Sequence, residues 1–201
     1  MIDLLKQELP AHYGLHRSVV EVPAECTDEL CFDLADGHDT MIVAYGSGNV
    51  SFDRSCQTTV QVIDYECYLN GLAGTGFERG RLRCDFIVYD AEKNGFFILN
   101  EQTSATGGIR NLQKPILDKK TGNVKFPGGK YEKVEAQLIE TLRTLKAVPG
   151  IETFMGKFAR KVCLMSYILT CREEKDEVSE AERTAVQIIF VSHIVHLFQF
   201  L

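Results

Sequence analysis

Residues 161–170 read KVCLMSYILT and carry a single charge, at the first position. A run this apolar has no polar face to turn towards water. It predicts a buried strand in a sheet covered by further structure. The segment before it, KYEKVEAQLIETLRTLK at 130–146, predicts the clearest helix of the chain. Val134, Leu138, Leu142 and Leu145 fall on one stripe there, with Ile139 beside it. Val148-Pro149-Gly150 is expected to stop it. Earlier still, RLRCDFIVYD (81–90) and GFFILNEQT (95–103) are dense in β-branched and aromatic residues, with the turn signal KNG between them. Strand, turn, strand, helix and buried strand together predict an α/β or α+β fold. It would be one domain with a mixed central sheet flanked by helices and a core region at 83–170. A chain of 201 residues suits one such domain.

The remaining segments are less periodic. DLLKQEL (3–9) reads as a short helix ended by Pro10, and SVVEVPAE (18–25) as extended chain. DTMIVAY (39–45) reads as a strand, the turn GSGN follows, and VSFD (50–53) is expected to pair back onto it. QTTVQVIDYECYLNGL (57–72) supports two readings. Its β-branched residues favour a strand, while Val60, Ile63 and Cys67 fit one helix face. AGTGFERG (73–80) is a loop whose Gly74, Gly76 and Gly80 precede a strand instead of following one, against a dinucleotide site. Residues 107–130 read as a long loop with a small hairpin around KKTGN. CREEKDEVSEAER (171–183) reads as an exposed loop running into a helix start.

Composition sets limits on function. The net charge is −6, with 45% hydrophobic and 25% charged residues, which suits a globular protein and not a general nucleic-acid coat. Seven cysteines occur: Cys26, Cys31, Cys56, Cys67, Cys84, Cys163 and Cys171. The number is odd and no pair has CxxC spacing, so reduced thiols in a cytoplasmic protein are expected, without zinc. No signal peptide is expected from the N-terminal residues. The apolar stretch AVQIIFVSHIVHLFQFL (185–201) is short and polar for a membrane span. It predicts a buried terminal element or a homo-oligomer surface, with His193 and His196 half-buried and not metal ligands. The Ser-centred, P-loop and HExxH motifs are absent.

The two hairpin strands each carry an acid near one end, Asp85 and Glu101. Side chains alternate along a strand, so Asp85, Ile87 and Tyr89 share one face, and Phe97, Leu99, Glu101 and Thr103 share one face of the next. The turn then brings the two carboxylates close together. Like charges so placed require a cation or a proton between them. Mg²⁺, or Mn²⁺, suits two carboxylates with water completing the shell.

This stretch resembles the core of the PD-(D/E)XK, or restriction-endonuclease-like, nucleases: an Asp on one strand and a Glu-x-Lys on the next. The resemblance covers roughly 83–170. It implies a restriction-endonuclease-like fold and metal-dependent hydrolysis of phosphodiesters, with Asp85 and Glu101 as metal ligands. Cys84-Asp85 stands for Pro-Asp. Glu101-Gln102-Thr103 stands for Glu-x-Lys, so Thr103 occupies the place of the lysine that orients or activates water. The helix that follows offers substitutes: Lys133 first, then Lys130, with Gln137 on the same face. Glu66 or Glu78 would supply a further acid upstream.

Charge placement fits a phosphate-binding groove. Between Arg110 and Lys133, seven cations (Arg110, Lys114, Lys119, Lys120, Lys125, Lys130, Lys133) face two acids (Asp118, Glu132), net +5. Arg79, Arg81 and Arg83 lie just before Asp85. DNA or RNA is the expected partner of 110–133. The competing reading is a catalytically inactive relative acting as an interaction or assembly module, favoured by Thr103, the acidic net charge and the apolar C-terminus.

Overall fold

The computed structural model describes residues 1–15, 21–36, 39–55, 57–106, 109–170 and 187–190. Strand β1 (Ala24–Thr27) opens the central sheet, and β2 (Cys31–Leu34), β3 (Ile42–Val43) and β4 (Val50–Asp53) form a small separate sheet. β5 (Val60–Asp64), β6 (Phe86–Asp90) and β7 (Phe96–Thr106) make an antiparallel meander. β8 (Ile116–Leu117) and β9 (Val124–Phe126) form a two-stranded ribbon. β10 (Arg160–Thr170) returns parallel to β7, in register from Arg160↔Phe96 to Thr170↔Thr106, and β11 (Gln187–Phe190) pairs antiparallel to β10. The central sheet is six-stranded and mixed, in the order β1-β5-β6-β7-β10-β11. The fold is α+β.

Alternation along these strands divides the core. Ile63, Ile87, Tyr89, Phe97, Leu99, Cys163, Met165 and Tyr167 face the helices. Those are α1 (Leu9–His12, continuing a π-helical turn at Leu4–Glu8), α2 (Tyr65–Gly71), α3 (Gly129–Lys146) and α4 (Pro149–Gly156). Val60, Val62, Phe86 and Val88 point the other way, against Phe32, Leu34 and Met41 beneath the small sheet. Helices therefore cover one face and the three-stranded sheet covers the other. Every residue of β6 is buried, which follows from having a layer on each side.

Four local expectations change. Pro10 lies inside a helical run that extends from residue 2 to residue 12 through the π-helical turn at Leu4–Glu8, so it does not end the helix. β3 and β4 do not pair with each other; each flanks β2 instead. The ambiguous 57–72 segment satisfies both readings in succession, as β5 and then α2, with Asp64 capping the helix by accepting from the Cys67 N–H at 2.7 Å. Val148-Pro149-Gly150 ends α3 and at once begins α4, with Pro149 in its first turn. The α3 stripe is buried as expected, and Ile139 is half-buried.

Segment 171–183, most of the apolar C-terminus with His193 and His196, and the oligomer surface expected there lie outside the described residues. Among the described residues no helix is long and apolar enough to cross a membrane. Cys26, Cys31, Cys67, Cys84 and Cys163 are free thiols.

Candidate functional site

The ladder between β6 and β7 ends at the pair Phe86↔Asn100. Asp85 and Glu101 are the next residues on each strand, so the hairpin sets the two carboxylates side by side on its helix-covered face. Both are buried, at 8% and 3% exposure. The backbone around Asp85 is tied on three sides. Its N–H donates to Asn100 O (3.1 Å), and its carbonyl accepts from Tyr65 and Glu66 at the start of α2 (2.8 and 3.2 Å). Its Oδ2 accepts from the Gln102 N–H at 2.6 Å.

Helix α3 closes the site from above. Gln137 Nε2 donates to Arg83 O at 2.8 Å, and Thr141 Oγ1 accepts from the Cys84 N–H at 2.9 Å. These residues are four apart on one helix face, with Lys133 a further turn towards the N-terminus. Gln137 and Lys133 also act on the Glu101 carboxylate, both favouring its ionised form. Lys130 feels Glu101 as well, although burial and the neighbouring Lys133 lower its own pKa.

Burial dominates the titration of the acid pair. It pushes Asp85 up to about 7 against the Gln102 hydrogen bond, with Asp36, Glu66 and Asp64 adding negative field. It pushes Glu101 up to about 9, reinforced by Asp85 and opposed by Lys133 and Gln137. Glu101 Oε2 and Gln137 Oε1 are buried without a hydrogen-bond partner.

A third buried acid shows what a structural carboxylate looks like here. Asp90, 3% exposed, accepts from Thr58 Oγ1 and the Glu92 and Lys93 N–H groups on one oxygen and from the Gly95 N–H on the other. Burial raises it, but those bonds outweigh burial and hold it below the usual carboxylate range. Asp90 is a satisfied turn residue. Asp85 and Glu101 are raised acids, and Glu101 Oε2 has bonding capacity left over.

Not every expected residue joins the pair. Glu66 comes within electrostatic range, but its carboxylate lies 3.1 Å from Arg83 Nη2. Its charge is therefore engaged at the edge of the site. Glu78 accepts from the Gly74 N–H in the preceding loop instead. Arg83 also reaches Asn70, and Arg81 stacks over Tyr13 and Phe77, so these two basic residues serve the scaffold. Thr103 is half-buried beside a crevice of about 130 Å³ with Asp36, Asn49, Gln102, Ser104 and Ser166, and no cation stands among its lining residues that are described. Asp36 and Asp64 contribute to the field at Asp85 and were not anticipated. Asp64 is legible as a helix cap before Tyr65. Asp36 has no local signal, since it arrives through the small sheet.

Among the described residues no group of three or more His, Cys, Asp and Glu side chains is placed to hold a metal. The donor set is two carboxylates. That fits an ion such as Mg²⁺, which keeps several waters and commonly binds through one or two carboxylates plus substrate phosphates. No family model, curated protein or solved structure matches the chain.

Proposed function

We propose that the protein is a metal-dependent phosphodiesterase acting on nucleic acid, related to the PD-(D/E)XK nucleases. The observation that carries this reading is the buried Asp85–Glu101 pair, set side by side by β6 and β7, with an unpartnered Glu101 oxygen and lysines converging from α3. The arrangement of hairpin, amphipathic helix and parallel return strand supports the same reading. Asp85 and Glu101 would hold Mg²⁺ or Mn²⁺, and the ion, when bound, supplies Lewis acidity and an activated water. Lys133 takes the part of the lysine missing at Thr103, setting positive charge beside the reacting phosphate, with Lys130 as an outer cation. Gln137 orients the Glu101 carboxylate. The exposed lysines of 110–133 suit a phosphate backbone, and the free thiols suit a reducing compartment such as the cytoplasm.

Titration calorimetry with Mg²⁺ and Mn²⁺ tests the site. Binding by the wild type and its loss in Asp85→Ala/Glu101→Ala, with both proteins folded, is the expected result. Lys133→Met should keep metal binding and lose hydrolysis by roughly 10² or more, since it removes transition-state stabilisation and no ligand. Absence of metal binding by the wild type would leave a non-catalytic interaction module.

A further inference from the structure

The long loop between β7 and α3 builds a ribbon that the acid pair does not use. β8 and β9 pair as Ile116↔Phe126 and Leu117↔Val124, and the register slips between these pairs so that Lys125 is the extra residue of β9. Hydrogen bonds tie the turn at the tip. Asp118 N–H donates to Asn123 O and Gly122 N–H to Asp118 O, while Asp118 Oδ1 accepts from Lys120 N, Thr121 N and Thr121 Oγ1. Those bonds hold its carboxyl below the ordinary range. The other acid of the segment, Glu132, accepts from the Gly128 N–H at 2.6 Å. Both acids are thus engaged with backbone, and Lys119, Lys120 and Lys125 stand exposed around them.

The ribbon also displays something a solvated lysine loop has no use for. Leu117 and Val124, a cross-strand pair, are 53% and 57% exposed. Its base is fixed as well. Gly129, at φ 67°, lies against the carbonyls of Lys114 and Leu112, and Leu112 is in the core. Gly129 opens α3, which carries Lys130 and Lys133 to Glu101.

We propose that the β8–β9 ribbon is an arm that grips duplex DNA, entering a groove with its Leu117–Val124 face while its lysines engage the flanking phosphates. This rests on reading the acid pair as a phosphodiesterase centre. A two-stranded ribbon fits the major groove of B-form DNA. The corresponding groove of duplex RNA is too deep and narrow for side chains to read. Single strands are held by exposed aromatic platforms, and the exposed pair here is aliphatic.

The test is fluorescence anisotropy of the full chain with a short labelled DNA duplex, the same single strand and an RNA duplex, over a salt series in EDTA. The DNA duplex is expected to bind best. Lys119→Ala/Lys120→Ala/Lys125→Ala should lower the slope of log K against log salt by roughly 2 to 3. Leu117→Ser/Val124→Ser should weaken duplex binding about tenfold and leave the slope unchanged. Preference for the single strand or for RNA, unchanged binding by both variants, or no binding by the wild type overturns the proposal. Metal calorimetry is read separately. Duplex binding without metal binding would sink the hydrolytic reading and keep the arm, and metal binding without duplex binding would do the reverse.

Discussion

At the scale of single residues, the acid pair makes stability depend on pH in an unusual direction. Most buried carboxylates favour folding as they ionise, as Asp90 does. Asp85 and Glu101 have ordinary values of 3.8 and 4.5 and are raised to about 7 and about 9. Below their ordinary values both the folded and the unfolded chain carry these protons. Between those values and the raised ones only the folded chain keeps them. Their contribution is therefore full in acid and lost as pH rises through the raised range. Metal-free wild type should lose melting temperature relative to Asp85→Asn/Glu101→Gln as pH climbs from about 5 to about 9. A melting difference that stays flat across the series would refute it. Near neutral pH, Mg²⁺ at about a hundred times its Kd should return roughly 2.7 kcal/mol to the wild type and nothing to the double variant. The pair itself was legible in the sequence, because strand alternation and one turn determine where Asp85 and Glu101 point. The engagement of Glu66 by Arg83 was not, since it depends on how α2 docks beside the residues that lead into β6.

At the scale of elements, the hinge between the ribbon and α3 is Gly129. Its φ of 67° lies in the left-handed region, and an added Cβ would run into the Lys114 and Leu112 carbonyls. Gly129→Ala should cost about 1–3 kcal/mol in urea unfolding. Because α3 begins there, the same change should lower hydrolysis through the altered approach of Lys133 to the site, while metal binding is kept because neither ligand is touched. Full stability and unchanged hydrolysis in this variant would show that the helix start tolerates displacement. Helix α3 was legible from its stripe and β10 from its unbroken apolar run. The order of β2, β3 and β4 was not, because short strands with few contacts choose partners by burial and not by sequence adjacency. Proline signals were legible but not in sense: Pro149 marks a helix start, where a missing N–H costs nothing, and Pro10 lies within a helix that continues past it.

At the scale of the whole molecule, the sheet places its chemistry at the ends of β6 and β7, under the helices, while the small sheet closes the far face. The mixed sheet was expected from the order of elements. The second sheet as a covering layer was not, because nothing in 31–53 says which face it will cover. The β5–β6–β7 meander joins neighbours in sequence, whereas β10 reaches β7 only after α3 and α4 have formed the crossover. Closing that longer loop is the larger entropic step, so the meander should form first. Pulsed hydrogen exchange during refolding should protect amides of β6 and β7 before those of β10, and simultaneous protection would contradict this order. The two acids ride on the meander, and Lys133 and Gln137 arrive with the crossover. During folding, then, the chain gathers its negative charges before the groups that offset them, and a divalent ion in the refolding buffer would meet a half-built site and speed its completion.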